Sequence, residues 1–126
     1  MNEFMKAALA EKALGKGIGE GAVIERGGRI IARACAKAHG ASLPSTHAEI
    51  AAIHEAALAS GSFDLASSTL YVSGKPCPMC LGAVLWAHIG KVVYLDLDGS
   101  FRELNEDDCL RIYDGFLKEG SKAIRR

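Results

Sequence analysis

Four side chains in two short segments have the types and spacing to do chemistry. His47 and Glu49 stand two residues apart in Thr46-His47-Ala48-Glu49, and Cys77 and Cys80 form a Cys-x-x-Cys pair in Pro76-Cys77-Pro78-Met79-Cys80. A cysteine at a helix N-terminus is favoured as thiolate, because unpaired backbone N–H groups and the helix dipole stabilise negative charge there. Pro78 suits an early helical position, where its missing N–H is harmless. Two thiolates and one imidazole make three zinc ligands. Structural zinc sites are usually closed by four, so three leave a position for water. Glu49 is then the group to take a proton from that water and deliver it to a leaving group.

Each of these residues also has a plainer reading. Thr46-x-x-Glu49 is a capping box, which satisfies backbone donors at a helix start. A Cys-x-x-Cys that follows a strand and opens a helix is also how a thioredoxin-like redox pair reads, although that leaves His47-Ala48-Glu49 without a purpose. Cys35 would close the zinc site as a fourth ligand, but a small buried residue on a strand is the simpler account of it. Cys109, His39, His54 and His88 read as core or surface residues, and Trp86 as core packing. Geometry sets one further condition. Residues two apart on a regular helix point about 200° apart, so His47 and Glu49 converge only if His47 sits at the helix entry, where backbone angles are not yet helical.

The elements that position these residues are legible from periodicity and turn chemistry. Residues 2–14 read as an amphipathic helix with Phe4, Ala8, Leu9 and Ala13 near helical spacing, ended by the glycines at 15, 17, 19 and 21. Ala22–Glu25 and Arg29–Ala34 read as strands joined at Gly27-Gly28, a hairpin dipeptide. A loop over Gly40–Ser45 leads to a helix from Thr46 to Ser60, stopped at Gly61. A strand over Thr69–Ser73, a helix over residues 77–89 stopped at Gly90, a strand over Lys91–Asp96 and a final helix over Glu106–Lys118 complete the order, with a faint fifth strand near Phe101–Leu104. The order α-β-β-α-β-α-β-α implies a three-layer α/β/α sandwich around a mixed sheet.

With 126 residues, 49% of them apolar and 24% charged, the chain is expected to be one globular domain over 1–126 with a real core. Fifteen Lys and Arg balance fifteen Asp and Glu, so nothing attracts nucleic acid or anionic lipid globally. The cluster Lys122, Arg125 and Arg126 reads as a solvated tail. No stretch approaches the 18 or more apolar residues of a membrane span, and the acidic N-terminus does not read as a signal peptide. Four cysteines without such a signal point to a reducing compartment, hence a cytoplasmic expectation.

The pattern His-x-Glu … Pro-Cys-x-x-Cys resembles the zinc nucleobase deaminases of the cytidine deaminase-like superfamily. Ile50–Leu58, Thr69–Val72, the run PCPMCLGAVLWAHIGKVVY and the hairpin segments at 21–23 and 28–31 extend the likeness over roughly residues 4–95, with the guanine deaminase and tRNA adenosine deaminase branches nearest in motif. The resemblance implies His47, Cys77 and Cys80 as zinc ligands and Glu49 as proton shuttle. It further implies the backbone N–H of Ala48 or Cys77, and Trp86, as substrate contacts. It implies hydrolytic deamination, in which water adds to an amino-bearing ring carbon and ammonia leaves. A homodimer or higher homo-oligomer follows too, with Leu81, Val84, Leu85 and His88 of the 77–89 helix as the candidate interface.

Four departures from the family pattern bear on the substrate. Ala36 stands where an asparagine usually binds it, Leu43-Pro44 replaces Asp-Pro, and Lys75 replaces the glutamate before Pro-Cys. The segment after Asp98 is also short. The expected function is zinc-dependent deamination of a free base or similar small amino-substituted heterocycle, guanine-like, with water as co-substrate. The alternatives are a tRNA adenosine deaminase, a cytosine or cytidine deaminase, and a non-catalytic zinc-stabilised domain.

Overall fold

The structure is a computed structural model that describes residues 2–39 and 46–124, the last four without side chains. The expected loop at Gly40–Ser45, with Leu43 and Pro44, lies outside the described residues, as do the side chains of the basic tail.

The chain runs α1 (Glu3–Leu14), β1 (Gly21–Arg26), β2 (Arg29–Cys35), α2 (Ala48–Ser60), β3 (Ser68–Val72), α3 (Pro78–Trp86), β4 (Lys91–Leu95), β5 (Phe101–Asn105) and α4 (Glu106–Ile124). The five strands lie in the order β2-β1-β3-β4-β5. Gly27 and Gly28 both take positive φ, 62° and 82°, which the tight turn between β1 and β2 requires. β3 and β4 are parallel and joined through α3, while the other neighbouring pairs are antiparallel, so the sheet is mixed as expected.

The side-chain period of two splits each central strand between two apolar layers. Ala22, Ile24, Leu70, Val72, Val92 and Tyr94 face the larger core, which α2 and α3 fill with Ala52, Ala56, Leu81 and Val84. Val23 and Val93 face the smaller core with Met5 and Ala8 of α1. Phe4 and Tyr71 add a tilted ring contact at 5.3 Å there. On α1 the buried stripe is Met5, Ala8 and Glu11, whereas Ala13, expected on it, is exposed. α1 also sits very close to the sheet. A Cβ on Gly21 would overlap the helix backbone at Ala8 and Lys12, so only glycine lets β1 begin there.

Most boundaries fall within one or two residues of the sequence expectation, and the larger differences lie in the second half of the chain. α3 ends at Trp86 rather than near Ile89. The His88 N–H donates to Leu85 O (3.2 Å) and the Ile89 N–H to Val84 O (3.1 Å), the Schellman pair, with His88 itself at φ 61° in the place glycine usually takes. The fifth strand is real and pairs antiparallel with β4, adding one element to the expected order. Its residues are mostly exposed, with Leu104 alone half-buried against the core, so it shows almost no apolar alternation. A turn over 96–100 delivers it, where Arg102 pairs with Asp96 at 2.7 Å.

α4, finally, runs on to Ile124. Its start carries a reciprocal cap: the Asp108 N–H donates to Asn105 Oδ1 (2.8 Å) and the Asn105 N–H to Asp108 Oδ2 (3.0 Å). That N–H, together with the Arg111 side chain, holds the Asp108 carboxyl below its ordinary value. A carboxyl depressed in the folded state contributes above its unfolded pKa and loses that contribution as pH falls through the folded one. Asn105→Ala is expected to destabilise the protein by about 0.5–2 kcal/mol in urea unfolding. That cost should not vary with pH, because the variant keeps the backbone N–H that bonds the Asp108 carboxylate, whereas the stability difference between wild type and Asp108→Ala should shrink on acidification below the usual aspartate range; a pH-independent Asp108→Ala difference would exclude the reciprocal cap.

Candidate active site

Two helix N-termini meet at one point, and neither is capped by its own side chain. His47 is the N-cap residue of α2, with extended backbone (φ −68°, ψ 149°), and Cys77 is the N-cap residue of α3 (φ −79°, ψ 166°). Their carbonyls accept the first helical hydrogen bonds, from Ala51 and Leu81, both at 3.0 Å. Their side chains are left to face each other. His47 Nδ1 lies 3.4 Å from Cys77 Sγ and 3.4 Å from Cys80 Sγ, and the two sulfurs are 3.6 Å apart.

Those separations can be compared with what a tetrahedral zinc needs. Bonds of about 2.3 Å to sulfur and about 2.0–2.1 Å to nitrogen place neighbouring ligand atoms roughly 3.5–3.8 Å apart. The donor set therefore fits zinc with little or no adjustment, and it leaves the fourth corner to a non-protein ligand. Among the described residues it is the only group of this kind, and Cys35 is not part of it. Cys35 lies instead beside Gly15 at the end of α1. Cys109 sits on α4 and is buried in the larger core, which pushes its thiol up to about 11. His39 pairs with the Thr46 hydroxyl, and His54 is exposed on α2. His88 reaches Asp64 at 3.4 Å.

The capping-box reading of Glu49 does not hold in the structure. A box would need Thr46 as N-cap, but the helix starts one residue later, and Thr46 is tied instead to Lys37 in an isolated bridge. Glu49 falls in the first turn, 4% exposed, beside Cys80 and His47. Burial raises its carboxyl above the ordinary range, against the opposing pull of its own backbone N–H, Cys80 and His47.

A cavity of about 230 Å³ opens over this group, with His47, Ala48, Glu49 and Cys77 on one side. Ala36 and Lys75, two of the departures noted above, line it as well. The remaining wall is Ile18, Gly19 and Glu20 from the α1–β1 connection. Sequence reasoning treated that segment only as a helix terminator. The available signal was Glu20, a carboxylate placed directly before the apolar run of β1.

Trp86 is not brought to this cavity. Its ring is 74% exposed and lies 6.4 Å from that of Phe63, so it neither packs in the core nor meets a ring held at the site of its own chain. The expected interface face of α3 also needs correction. Leu81 and Val84 are 1% exposed and belong to the core, and the apolar side chains α3 presents to solvent are Met79 and Trp86.

Residues 1–96 match the family described as the cytidine and deoxycytidylate deaminase zinc-binding region. The chain belongs to that family. It is 39% identical over 109 residues to guanine deaminase of Bacillus subtilis (strain 168), covering 83% of this chain and 70% of that protein. It is 42% identical over 94 residues to the tRNA-specific adenosine deaminase of the same organism, covering 72% of this chain and 58% of the relative. Among solved structures, the guanine deaminase of Bacillus subtilis superposes with a TM-score of 0.64 at 32% identity, over 94% of this chain and 76% of that one. A structure from work on A-to-I editing by tRNA:A34 deaminases at the wobble position of transfer RNA gives 0.67 at 36% identity, over 74% of each chain. The deaminase-family protein is thus a zinc-binding hydrolase by family and by donor set. No described helix is long and apolar enough to cross a membrane.

Elemental analysis of purified protein is expected to give one zinc per chain, falling severalfold or more in His47→Ala and Cys80→Ala and unchanged in Cys35→Ser. Zinc near zero in the wild type would restore the redox reading of Cys77 and Cys80.

Proposed function

We propose that this protein is a zinc-dependent hydrolytic deaminase of a free nucleobase or a similar small amino-substituted heterocycle, guanine-like, releasing ammonia. The observation that carries this is the burial of Glu49 beside His47 Nδ1 and the two sulfurs, on the wall of a cavity about 230 Å³ in volume. That space suits a single small ring system and lies below the roughly 300 Å³ at which pockets for drug-sized ligands begin.

His47, Cys77 and Cys80 hold the metal, and zinc supplies Lewis acidity that makes water a nucleophile near neutral pH. The reaction adds water across the amino-bearing ring carbon, breaks the carbon–nitrogen bond and leaves a carbonyl and ammonia. Glu49 carries the protons. Its carboxylate accepts one from water, passes one to the ring and assists departure of the amine. A zinc that served only to stabilise the fold would have no need of a buried acid beside its ligands, which counts against the non-catalytic alternative. The free N–H groups at the start of α2, that of Ala48 among them, suit an acceptor atom of the ring.

In Glu49→Gln, folding and zinc content should match wild type while ammonia release falls by at least about 10²–10⁴. The panel is guanine, adenine, cytosine, cytidine, a pterin and a tRNA anticodon stem-loop. Activity on the small rings should be indifferent to salt, whereas binding that falls steeply between about 50 and 200 mM salt would favour the tRNA reading. Near-normal turnover by Glu49→Gln would overturn the assigned role.

The same reading includes a homo-oligomer, in which a second copy covers Phe63, Met79 and Trp86. These large apolar side chains are 62%, 52% and 74% exposed, and Met79 and Trp86 share one face of α3 seven residues apart. Light scattering at micromolar concentration should give a closed multiple of 13.3 kDa that Trp86→Asp reduces to the monomer. A wild-type monomer would refute it.

A further inference from the structure

The zinc donors and Glu49 leave two charged residues of the cavity without a task. Glu20 is not a loose surface acid. Its Oε1 accepts from Ser73 Oγ at 2.6 Å, and that hydroxyl, 4% exposed as a residue, in turn accepts from the Gly21 N–H at 2.9 Å. Lys12 Nζ approaches the same oxygen at 3.3 Å. On its other side the carboxylate lies against Gly74, where a Cβ would overlap it. The chain thus seats Glu20 from α1, β1 and the turn after β3, although its charge makes ionisation of nearby Glu49 harder. Lys75 follows Gly74 directly and lines the same cavity, and among the described residues its ammonium has no hydrogen-bond or ion-pair partner.

A carboxylate only accepts hydrogen bonds and an ammonium only donates them. A ring that satisfies both presents an N–H to one and a carbonyl to the other. We propose that Glu20 and Lys75 are specificity-determining residues that select an amino-oxo heterocycle, its lactam N–H toward Glu20 and its C=O toward Lys75, over rings that carry amino groups alone. This rests on the deaminase reading for the identity of the site, and it narrows the substrate class. An amino group in place of the carbonyl sets donor against donor at Lys75, and loss of the ring N–H leaves Glu20 without the proton it is placed to accept. Sites built around such pairs reject mismatched rings by unpaired polar groups rather than by shape.

Guanine and 2,6-diaminopurine differ only along this edge, so they are the probes. Binding is measured by calorimetry on zinc-loaded Glu49→Gln, which holds the ligand without turnover. Guanine should be preferred by about 10–100-fold, and adding Glu20→Gln or Lys75→Met should each reduce that preference by about tenfold. Lys75 is exposed, so its variant keeps the test open should Glu20→Gln disturb the fold. Equal binding of the two probes, no binding of either, or a preference untouched by both substitutions would overturn the assignment. Ammonia release by the wild type is scored separately. Selective binding through Glu20 and Lys75 without ammonia from any ring would sink the deaminase reading and leave the inference standing. Ammonia from both purines with equal kcat/KM, unaffected by either substitution, would do the reverse.

Discussion

Two uncapped helix starts brought nose to nose are the constraint on which the rest depends. A helix N-terminus normally satisfies one of its orphan N–H groups with a serine, threonine, aspartate or asparagine side chain. α2 and α3 instead carry an imidazole and a thiol at that position, and neither makes a side-chain cap. The N-cap residue is the last with non-helical backbone, so its side chain can turn away from the helix surface toward the facing terminus. Both helix starts then offer positive dipole ends to the two sulfurs, which offsets part of what burial and nearby Glu49 do to push the Cys80 thiol up. The sheet enforces the meeting. β3 and β4 are parallel with α3 as their crossover, and β1 beside β3 carries the residues on which α2 packs, so both helices lie on one face and begin at the same end.

The meeting of His47, Cys77 and Cys80 is legible in the sequence because it resides in short motifs whose geometry is local. Placing His47 at the helix entry follows from the spacing to Glu49 alone, and the structure has it there with extended backbone. The capping box was misplaced for an instructive reason. Thr46-x-x-Glu49 and Asn105-x-x-Asp108 are equally good on composition, and only tertiary context separates them. Thr46 bridges Lys37 one residue before the N-cap His47, whereas Asn105, although paired with Lys91, directly precedes the first residue of α4. The end of α3 shows the same limit. Gly90 looked like the stop, but a buried Ile89 two residues beyond the cap residue Ala87 closes the Schellman pair and forces His88 into the left-handed region.

What stays hidden depends on what a segment meets in space rather than on its own pattern. β5 has no apolar alternation, because only Leu104 meets the core, so the strand is defined by its partner rather than by its own pattern. The apolar residues of α3 could not be divided between core and surface from a helix that is apolar nearly all round, and two of those assigned outward point inward. Glu20 escaped for the simplest reason: it belongs to no motif, and its bond to Ser73 spans 53 positions.

Gly21 lets α1 rest directly on the first strand, and residues 15 to 20 connect the two. The cavity wall they form comes from the layer opposite the one that carries the metal donors. Part of the cavity wall is therefore built on a different layer of the scaffold from the donor group. Exchanges at positions 18 and 19 alter what fits over the donor group without touching the helix starts that hold it, whereas Glu20 also bears on Glu49 through its charge. Substitutions at sites that share no partners add nearly independently. A protein organised this way can reshape its cavity by drift at two positions of one connector while the donor group stays as it is.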